Sequence, residues 1–275
     1  MKLKRAVAIN DISCIGKCSL TVALPIISAL GIECAVLPTA VLSAHTAFDG
    51  FTFCDLTSQI KPVSEHWSKR GEEFDTIYSG YLGSLTQIEL VADFIKTFKG
   101  DDTKVIIDPV LGDHGRLYAN FTEDFPKEMR KLCKMADVIT PNLTEASLLL
   151  SREYVGEGYT EDYIKELLCE LASLGSKKIV LTGVSFDEKR LGVACYDCEK
   201  GEYTYYPGER IESMFHGTGD VWASTFAGAY TKGYEFTKAA QLATDFTVKC
   251  IKATLDDKEN HWYGVKFELC LKDLM

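Results

Sequence analysis

Short apolar runs rich in β-branched residues alternate along the chain with longer stretches in which apolar residues recur every three or four positions. The short runs are typical of strands buried on both faces, and the longer stretches are typical of amphipathic helices. The predicted strands are Ala6–Ile9, Ala35–Leu37, Thr76–Tyr78, Val105–Ile107, Val138–Thr140 and Ile179–Leu181. This alternation predicts an α/β fold of three layers, with a mainly parallel central sheet and helices on both faces.

Two helical stretches have clear boundary signals. One helix is predicted to begin at Thr86, where Glu89 completes a capping box, and to end before Gly100. A second helix is predicted from about Thr160 to Ser173, with one apolar face turned inward. In a parallel sheet with such crossover helices, ligands are expected at the carboxyl ends of the strands.

The later part of the chain contains a different pattern. Gly192–Asp197 and Tyr203–Tyr206 are separated by a short polar segment, which predicts an antiparallel hairpin at one edge of the sheet. The sequence shows no repeat, no low-complexity tract and no linker rich in Pro, Gly or Ser. We therefore expect a single domain over residues 1–275.

Charge and composition restrict the classes of partner. The chain carries 30 Lys and Arg against 40 Asp and Glu, a formal net charge of −10, so neither nucleic acid nor an anionic membrane is expected to bind. Pro25, Gly31 and Pro38 interrupt the apolar segment 18–48 well short of a membrane span, and the first residues lack a secretory signal pattern. An anionic ligand such as ATP must then be held by local backbone donors.

The cysteines favour a reducing compartment. Ten are scattered without the regular framework of a small secreted domain, so we expect free thiols and a cytoplasmic protein. Cys195 and Cys198 form a CxxC pair, but no second Cys or His pair lies at zinc spacing and the flanking residues have the pattern of a strand. These two residues are interpreted as packing residues.

The segment from His216 to Asp220 carries the strongest chemical signal. Two glycines precede an apolar run of small residues that predicts a buried helix, so their N–H groups can point at an anion at the positive end of the helix dipole. Asp220 lies in the first turn, where a carboxylate can accept a proton from an alcohol. An anion hole beside a base suits transfer of a phosphoryl group to a hydroxyl. The alternative is a glycine turn in which Asp220 only complements the dipole.

Two further acidic motifs follow predicted strands. Asp108 and Asp113 flank a Pro/Gly loop where this fold places metal or phosphate ligands, although a strand that ends in a proline turn with solvated acids gives the same pattern. Asn142 and Glu145 have the spacing of a capping box. Glu145 would also face a nucleotide pocket and could hold Mg²⁺ through water, because Mg²⁺ usually keeps several of its waters.

Three polar segments near the N-terminus are predicted to lie at equivalent strand ends. They are Asn10–Ser13, Ser43–Thr46 and Tyr78–Tyr81. Short hydrogen-bonding groups with an aromatic ring suit a small, flat, polar substrate, whereas each segment alone could simply cap a helix. The sequence contains no GxxxxGK[ST], no GxGxxG after the first strand and no GxSxG, so a P-loop, a dinucleotide fold and a hydrolase elbow are unsupported.

Taken in order from about Ala6 to Lys249, the motifs resemble the pyridoxal kinase branch of the ribokinase-like family. The Gly-Thr-Gly-Asp signature marks the superfamily. The branch is indicated by His45-Thr46, Tyr78-Ser79-Gly80-Tyr81, Asp108-Pro109-Val110-Leu111-Gly112-Asp113 and Thr140-Pro141-Asn142. The joint order of these motifs is more specific than any one of them.

The resemblance implies a role for each matching residue. Asp220 would be the base, and Gly217, Thr218 and Gly219 the anion hole. Ser13, Thr46 and Tyr81 would hold the pyridine ring. The nucleotide side would comprise Asp108, Asp113, Tyr118, Thr140, Asn142, Glu145 and Thr182, with Asp108 and Glu145 as the magnesium side. Similar enzymes are homodimers that use ATP, Mg²⁺ and often K⁺.

The implied reaction is ATP-dependent phosphorylation of the 5-hydroxymethyl group of pyridoxal, pyridoxine or pyridoxamine. Ala47 replaces a common glycine, and Cys14 and Lys17 are atypical, so the preferred vitamer stays open. Two alternatives are a kinase of the same fold acting on hydroxymethylpyrimidine or a sugar, and a non-catalytic module that binds ATP or a B6 compound.

Overall fold

The computed structural model describes residues 3–213 and 215–275. Its strands are β1 (Arg5–Ser13), β2 (Glu33–Leu42), β3 (Phe53–Asp55), β4 (Thr76–Ser79), β5 (Lys104–Ile107), β6 (Gly112–Asp113), β7 (Arg116–Leu117), β8 (Val138–Ile139), β9 (Lys178–Asp187), β10 (Arg190–Asp197) and β11 (Glu202–Tyr206). Its α-helices are α1 (Leu20–Ala29), α2 (Thr57–Arg70), α3 (Leu85–Phe98), α4 (Phe125–Cys133), α5 (Leu143–Leu150), α6 (Glu161–Ala172), α7 (Thr218–Lys232) and α8 (Phe236–Lys252). Three short 3₁₀ turns follow at Leu255–Asp257, Phe267–Leu269 and Leu271–Asp273.

One large sheet organises the fold. In the described part of the chain it has nine strands in the order β11-β10-β9-β8-β5-β4-β1-β2-β3, and β6 and β7 form a separate ribbon. The pairs from β2 through β1, β4, β5 and β8 to β9 are parallel, whereas β3, β10 and β11 join antiparallel at the two ends. The predicted α/β fold with a mainly parallel sheet is therefore confirmed. The strand order reverses around β1, and in open sheets of this kind ligands are expected at the carboxyl ends of the strands beside such a reversal.

Helices cover both faces of the sheet, as the strand periodicity requires. Val7 and Ile9 of β1 pack with residues of α2 to α6 on one face. Ala6 and Ala8 point the other way and pack with α1, α7 and α8. Successive side chains of a strand alternate between faces, so one short run supplies both cores and the three-layer architecture follows.

Several boundaries confirm the sequence predictions. Helix α6 is capped by Thr160, whose side chain accepts a hydrogen bond from the Tyr163 N–H. The predicted hairpin is β10 and β11, with β11 at the sheet edge. No helix in the described residues is both long enough and apolar enough to cross a bilayer.

Two boundary predictions were wrong. Helix α3 begins at Leu85 rather than Thr86, because Ser84 is the N-cap and accepts a hydrogen bond from the Gln87 N–H. Strand β1 is also longer than predicted. It runs through Asn10–Ser13, which was expected to be a loop, because the strand pairs again with β2 after a bulge around Asp11.

Candidate active site

The carboxyl ends of the parallel strands gather most of the predicted site residues at one edge of the sheet. Asp11 and Ser13 end β1, Asp108 follows β5, and Thr140 follows β8. The helices α1, α5 and α7 begin at the same edge, since each follows a strand or loop that ends there. The first three or four N–H groups of a helix lack intrahelical partners, so this edge is rich in free donors.

The start of α7 has the geometry of an anion hole. Gly217 is the N-cap, with φ 74°, and a Cβ there would lie 1.5 Å from the Lys17 carbonyl oxygen. Both the positive φ and the close backbone contact therefore require glycine. Around Gly219 a Cβ would meet nothing within 4 Å, so the backbone borders open space. The N–H groups of Thr218 and Gly219 are thus presented to a ligand at the positive end of the helix.

Asp220 lies in the first turn of α7 and is partly buried. Burial, followed by the neighbouring Asp11 carboxylate, raises the pKa of its carboxyl from 3.8 to about 7. The backbone N–H of Ser19 and the side chain of Asn10 lie near this carboxylate and oppose the rise in its pKa. A carboxyl with a pKa near neutrality is suited to accept a proton from an alcohol.

Glu145 joins the start of α5 to the loop after β5. Its Oε2 accepts a hydrogen bond from the Asn142 N–H at 2.8 Å, and the Asn142 side chain accepts one from the Glu145 N–H, so the predicted capping box is confirmed. Its Oε1 accepts a hydrogen bond from the Leu111 N–H at 3.2 Å. Burial, followed by the Asp108 carboxylate, raises the pKa of Glu145 well above its usual value.

Asp108 connects Glu145 to Asp220 electrostatically. Burial, followed by the Asp220 carboxylate, raises the pKa of Asp108 from 3.8 to about 8, and the nearby Thr140 opposes the rise. The carboxyl groups of Asp11, Asp220, Asp108 and Glu145 thus form a row in which each neighbour disfavours ionisation of the next. We call these four residues the carboxylate row.

The carboxylate row has the chemistry of a site for a hydrated cation. In the part of the chain that the structure describes, no lysine or arginine contributes to the pKa shifts of its members. Within those same residues, no three side chains of the His, Cys, Asp or Glu type form a group that could hold a metal ion directly. Carboxylate oxygens are ligands that Mg²⁺ accepts, directly or through water, so Asp108 and Glu145 are the residues of the row that could hold such a cation.

The predicted substrate residues occupy three different loops or strands. Ser13 is buried and its Oγ donates to Asp11 Oδ2 at 3.1 Å. Tyr81 is partly buried, its N–H donates to Asn10 Oδ1 at 2.9 Å, and its ring stacks on Phe121 with centroids 5.7 Å apart. Thr46 is exposed in the loop after β2. Ser13 and Tyr81 thus lie close to the carboxylate row.

The loop that carries Thr46 is joined to the anion hole by two histidine rings. The ring centroids of His45 and His216 are 4.7 Å apart, and His216 lies two residues before Thr218, the first residue of α7. Burial, followed by His216, lowers the pKa of His45. His45 Nδ1 accepts a hydrogen bond from the Ala47 N–H at 3.1 Å, which keeps that nitrogen unprotonated. This contact brings the loop after β2 to the start of α7.

The predicted nucleotide residues surround the start of α5. Asn142 Nδ2 donates to the Gly112 carbonyl at 3.1 Å, which fastens the β6–β7 ribbon and its exposed Asp113 to this helix. Tyr118 follows the ribbon and is 43% exposed. Partial burial of its side chain, followed by the charge of Glu145, raises the pKa of its hydroxyl. The Thr182 N–H donates to the Pro141 carbonyl at 2.9 Å, beside Asn142. All of these residues lie on the Glu145 side of the carboxylate row.

Three residues near Asp220 were not assigned roles from the sequence. Asn10 and Asp11 were noted only as part of a polar segment, and Ser19 was not singled out. A bulge turns Asp11 toward Ser13 and Ser19, and a bulge has no clear signature in a single sequence. Only the order Asn-Asp-x-Ser after a predicted strand could have drawn attention to this group.

Comparison with known proteins agrees with the geometry. A family model described as phosphomethylpyrimidine kinase matches residues 56–264. A putative phosphomethylpyrimidine kinase from Bacteroides thetaiotaomicron, solved with pyridoxal, is 39% identical, with a TM-score of 0.94 over 99% of this chain and 96% of that chain. The pyridoxal kinase from Lactobacillus plantarum is 30% identical, with a TM-score of 0.91 over 99% of this chain and 97% of that chain.

A putative pyridoxal kinase from Caenorhabditis elegans is 32% identical over 157 residues, which are 54% of this chain and 46% of that protein. The matched region is thus less than half of that relative's length. The family model and the two solved structures nevertheless extend over most of the present chain. The chain therefore belongs to the phosphomethylpyrimidine kinase family and to the pyridoxal kinase branch of the ribokinase-like superfamily, whose members are phosphotransferases with an alcohol group as acceptor.

Proposed function

We propose that the protein transfers the γ-phosphoryl group of ATP to the 5-hydroxymethyl group of a B6 vitamer. The observation that carries the proposal is the start of α7, where unpartnered N–H groups and a carboxyl with a pKa of about 7 occupy the same helical turn. A phosphoryl group and an alcohol oxygen must meet at such a point. Relatives solved with pyridoxal or named pyridoxal kinase support the choice of acceptor.

In this reaction Asp220 accepts the hydroxymethyl proton as the alcohol oxygen attacks the γ-phosphorus. The bond between that phosphorus and the ADP oxygen breaks, and ADP leaves with the electron pair. The N–H groups of Gly217, Thr218 and Gly219 stabilise the negative charge on the transferred oxygens. Catalysis then rests on positioning and charge stabilisation, with no covalent intermediate on the protein.

The other end of the carboxylate row would bind the nucleotide. Asp108 and Glu145 would hold Mg²⁺ through water, and Mg²⁺ would neutralise charge on the ATP phosphates. Their raised pKa values support this role, because a bound cation favours the ionised form of both groups. The ATP-binding residues in this proposal are Asp113, Tyr118, Thr140, Asn142 and Thr182. We include K⁺ as a second cation on the basis of the family resemblance.

Ser13, Thr46 and Tyr81 would hold the pyridine ring. Ser13 and Tyr81 are tied to Asp11 and Asn10, the two neighbours of the base, so a ring held by them lies beside Asp220. Thr46 belongs to the loop whose His45 contacts His216. Binding of the acceptor ring and orientation of the base are thereby coupled in this proposal.

A substrate panel tests the proposed function. Pyridoxal, pyridoxine, pyridoxamine, hydroxymethylpyrimidine and ribose are each incubated with ATP, with and without Mg²⁺ and K⁺, and ADP is measured. We expect acceptor-dependent ADP release with at least one B6 vitamer, only when Mg²⁺ is present. Release with hydroxymethylpyrimidine or ribose alone would contradict the proposed acceptor. Tight vitamer binding without ADP release under any condition would favour a non-catalytic module.

Hydroxymethylpyrimidine is the second candidate acceptor, because the matching family model carries the name phosphomethylpyrimidine kinase. Residues 1–275 are proposed to act as one domain, since one sheet runs from β1 through β11. We also propose a homodimer in a reducing cytoplasm. The ten free cysteines fit such a compartment, and the exposed Phe53 on edge strand β3 offers an apolar contact. Light scattering during size-exclusion chromatography would give the oligomeric state.

A further inference from the structure

Ser19 has a backbone conformation that is unusual for a residue with a side chain. Its φ is 55° and its ψ is −136°, a region in which glycine is the normal occupant. It is buried and precedes α1, and its carbonyl accepts hydrogen bonds from the Val22 N–H at 3.1 Å and the Ala23 N–H at 2.9 Å. Its side chain makes no cap hydrogen bond to that helix. The hydroxyl is therefore free for another partner.

That partner is Asp11. Ser19 Oγ donates to Asp11 Oδ1 at 2.5 Å, and Ser13 Oγ donates to Asp11 Oδ2 at 3.1 Å. Asp11 is only 5% exposed and lies at the bulge of β1. Breaking a hydrogen bond between a hydroxyl and a buried carboxyl costs free energy, because neither group can form a replacement hydrogen bond with water. The strained backbone of Ser19 is thus fastened to the end of β1.

The segment from Lys17 to Ser19 lies against the start of α7. The Lys17 carbonyl fills the space that a side chain at 217 would need. The Ser19 N–H lies close enough to the Asp220 carboxylate to lower its pKa. Helices α1 and α7 also approach closely, since a Cβ on Gly228 would lie 2.5 Å from Leu30 Cδ1. One short segment therefore packs on the glycine that precedes α7 and lies near the carboxylate of Asp220, the third residue of that helix.

We propose that Ser19 is a positioning residue for phosphoryl transfer. Its hydroxyl, held by Asp11, keeps the strained backbone in the arrangement in which the Lys17 carbonyl packs on Gly217 and segment 17–19 lies beside Asp220. The proposal rests on the proposed function, in which Asp220 is the base. It adds a reason for a serine at a position where glycine would relieve the strain.

Ser19→Gly and Ser19→Ala separate positioning from stability. Glycine removes the hydroxyl and also relieves the strain, whereas alanine removes the hydroxyl and keeps the strain. Ser151→Gly is the matched control, because Ser151 also has a positive φ, 54°, but ends α5 and bonds to Arg130 instead. Each variant is assayed for kcat and KM with pyridoxal and Mg-ATP, for its melting temperature, and by crystallography.

We expect kcat to fall at least about tenfold in both Ser19 variants, while KM for ATP stays within about twofold of the wild-type value. Such a result would indicate that the transition state is positioned less well and that nucleotide binding is unchanged. Ser19→Gly should melt no lower than the wild type, and Ser151→Gly should keep its kcat. Wild-type kcat in Ser19→Gly would overturn the inference, as would a crystal structure of that variant with residues 17–19 and Asp220 unmoved. If the wild-type protein phosphorylates no vitamer, the proposed function is refuted. The crystal structure of Ser19→Gly would still show whether Ser19 fixes the positions of residues 17–19 and Asp220.

Discussion

Replacement of Asp108 by Asn should stabilise the protein while it impairs the enzyme. Asp108 lies in the carboxylate row between Asp220 and Glu145. Its burial, followed by the charge of Asp220, raises its pKa from 3.8 to about 8. Asparagine keeps the shape of the side chain. It cannot ionise, so the unfavourable charge in the row disappears.

The magnitude follows from the shift in the pKa of Asp108. A rise from 3.8 to about 8 corresponds to about 6 kcal/mol against folding for the fully ionised group, at about 1.4 kcal/mol per pH unit. This figure is an upper bound, because Asp108 is partly exposed and shares the repulsion with Asp220. We expect Asp108→Asn to gain about 2 kcal/mol at pH 8, which raises the melting temperature by about 4 to 8 °C in a protein of this size.

The sign of the pH dependence is fixed by the direction of the shift. The folded protein binds the Asp108 proton more tightly than the unfolded chain, so wild-type stability is lost as the pH rises from about 4 to about 8. The advantage of Asp108→Asn should therefore grow over this range. Thermal melts at pH 5, 6.5 and 8, without Mg²⁺, measure it, and Asp124→Asn on the exposed start of α4 is the control. An Asp108→Asn protein that melts below the wild type at pH 8 would refute the reasoning.

Three further predictions concern the same edge of the sheet. Gly217→Ala should abolish turnover, because its Cβ would lie 1.5 Å from the Lys17 carbonyl oxygen. Gly219→Ala should fold with wild-type stability, because open space surrounds that position. Circular dichroism melts and ADP assays compare the two variants. Asn142→Ala should lower the free energy of unfolding by about 1 kcal/mol, measured in urea, because it removes the α5 cap, and an unchanged stability would contradict that role. In the proposed mechanism Asp220 acts as a carboxylate, and because its pKa is about 7, kcat/KM for the acceptor should fall as the pH drops below 7, approaching tenfold per pH unit. A flat profile from pH 5 to 8 would contradict this proposal.

Much of the fold could be predicted from local patterns, and the failures have local causes. The strand runs in β1, β4 and β5 are strong because both faces are buried, so periodicity and β-branching both point to strands. Strands β3, β6 and β7 have only two or three residues, too few for a periodic signal. The α3 start was misplaced because Ser84 and Thr86 are both good N-caps, and only tertiary contacts select between them.

Two helix starts of the candidate site could be predicted, because each follows a short motif in the sequence. Asp220 and the Asn142–Glu145 capping box belong to such motifs, and the structure has the helix starts that they predict. The contacts of Asp11 and Ser19 could not be predicted, because they depend on a bulge and on a positive φ at a serine. The coupling between Asp108 and Asp220 also depends on tertiary structure, since these residues are far apart in sequence.

Formation of pyridoxal 5′-phosphate by Asp220→Asn tests the central claim most directly. The variant keeps the helix start and the anion hole but lacks the base, so we expect ATP to bind with wild-type affinity while kcat falls by about 10² to 10⁴. Product is measured by chromatography under saturating pyridoxal and Mg-ATP, alongside binding of a non-hydrolysable ATP analogue. Turnover within a few-fold of the wild type, in a variant that binds the analogue normally, would contradict the claim that the carboxylate at the start of α7 activates the alcohol.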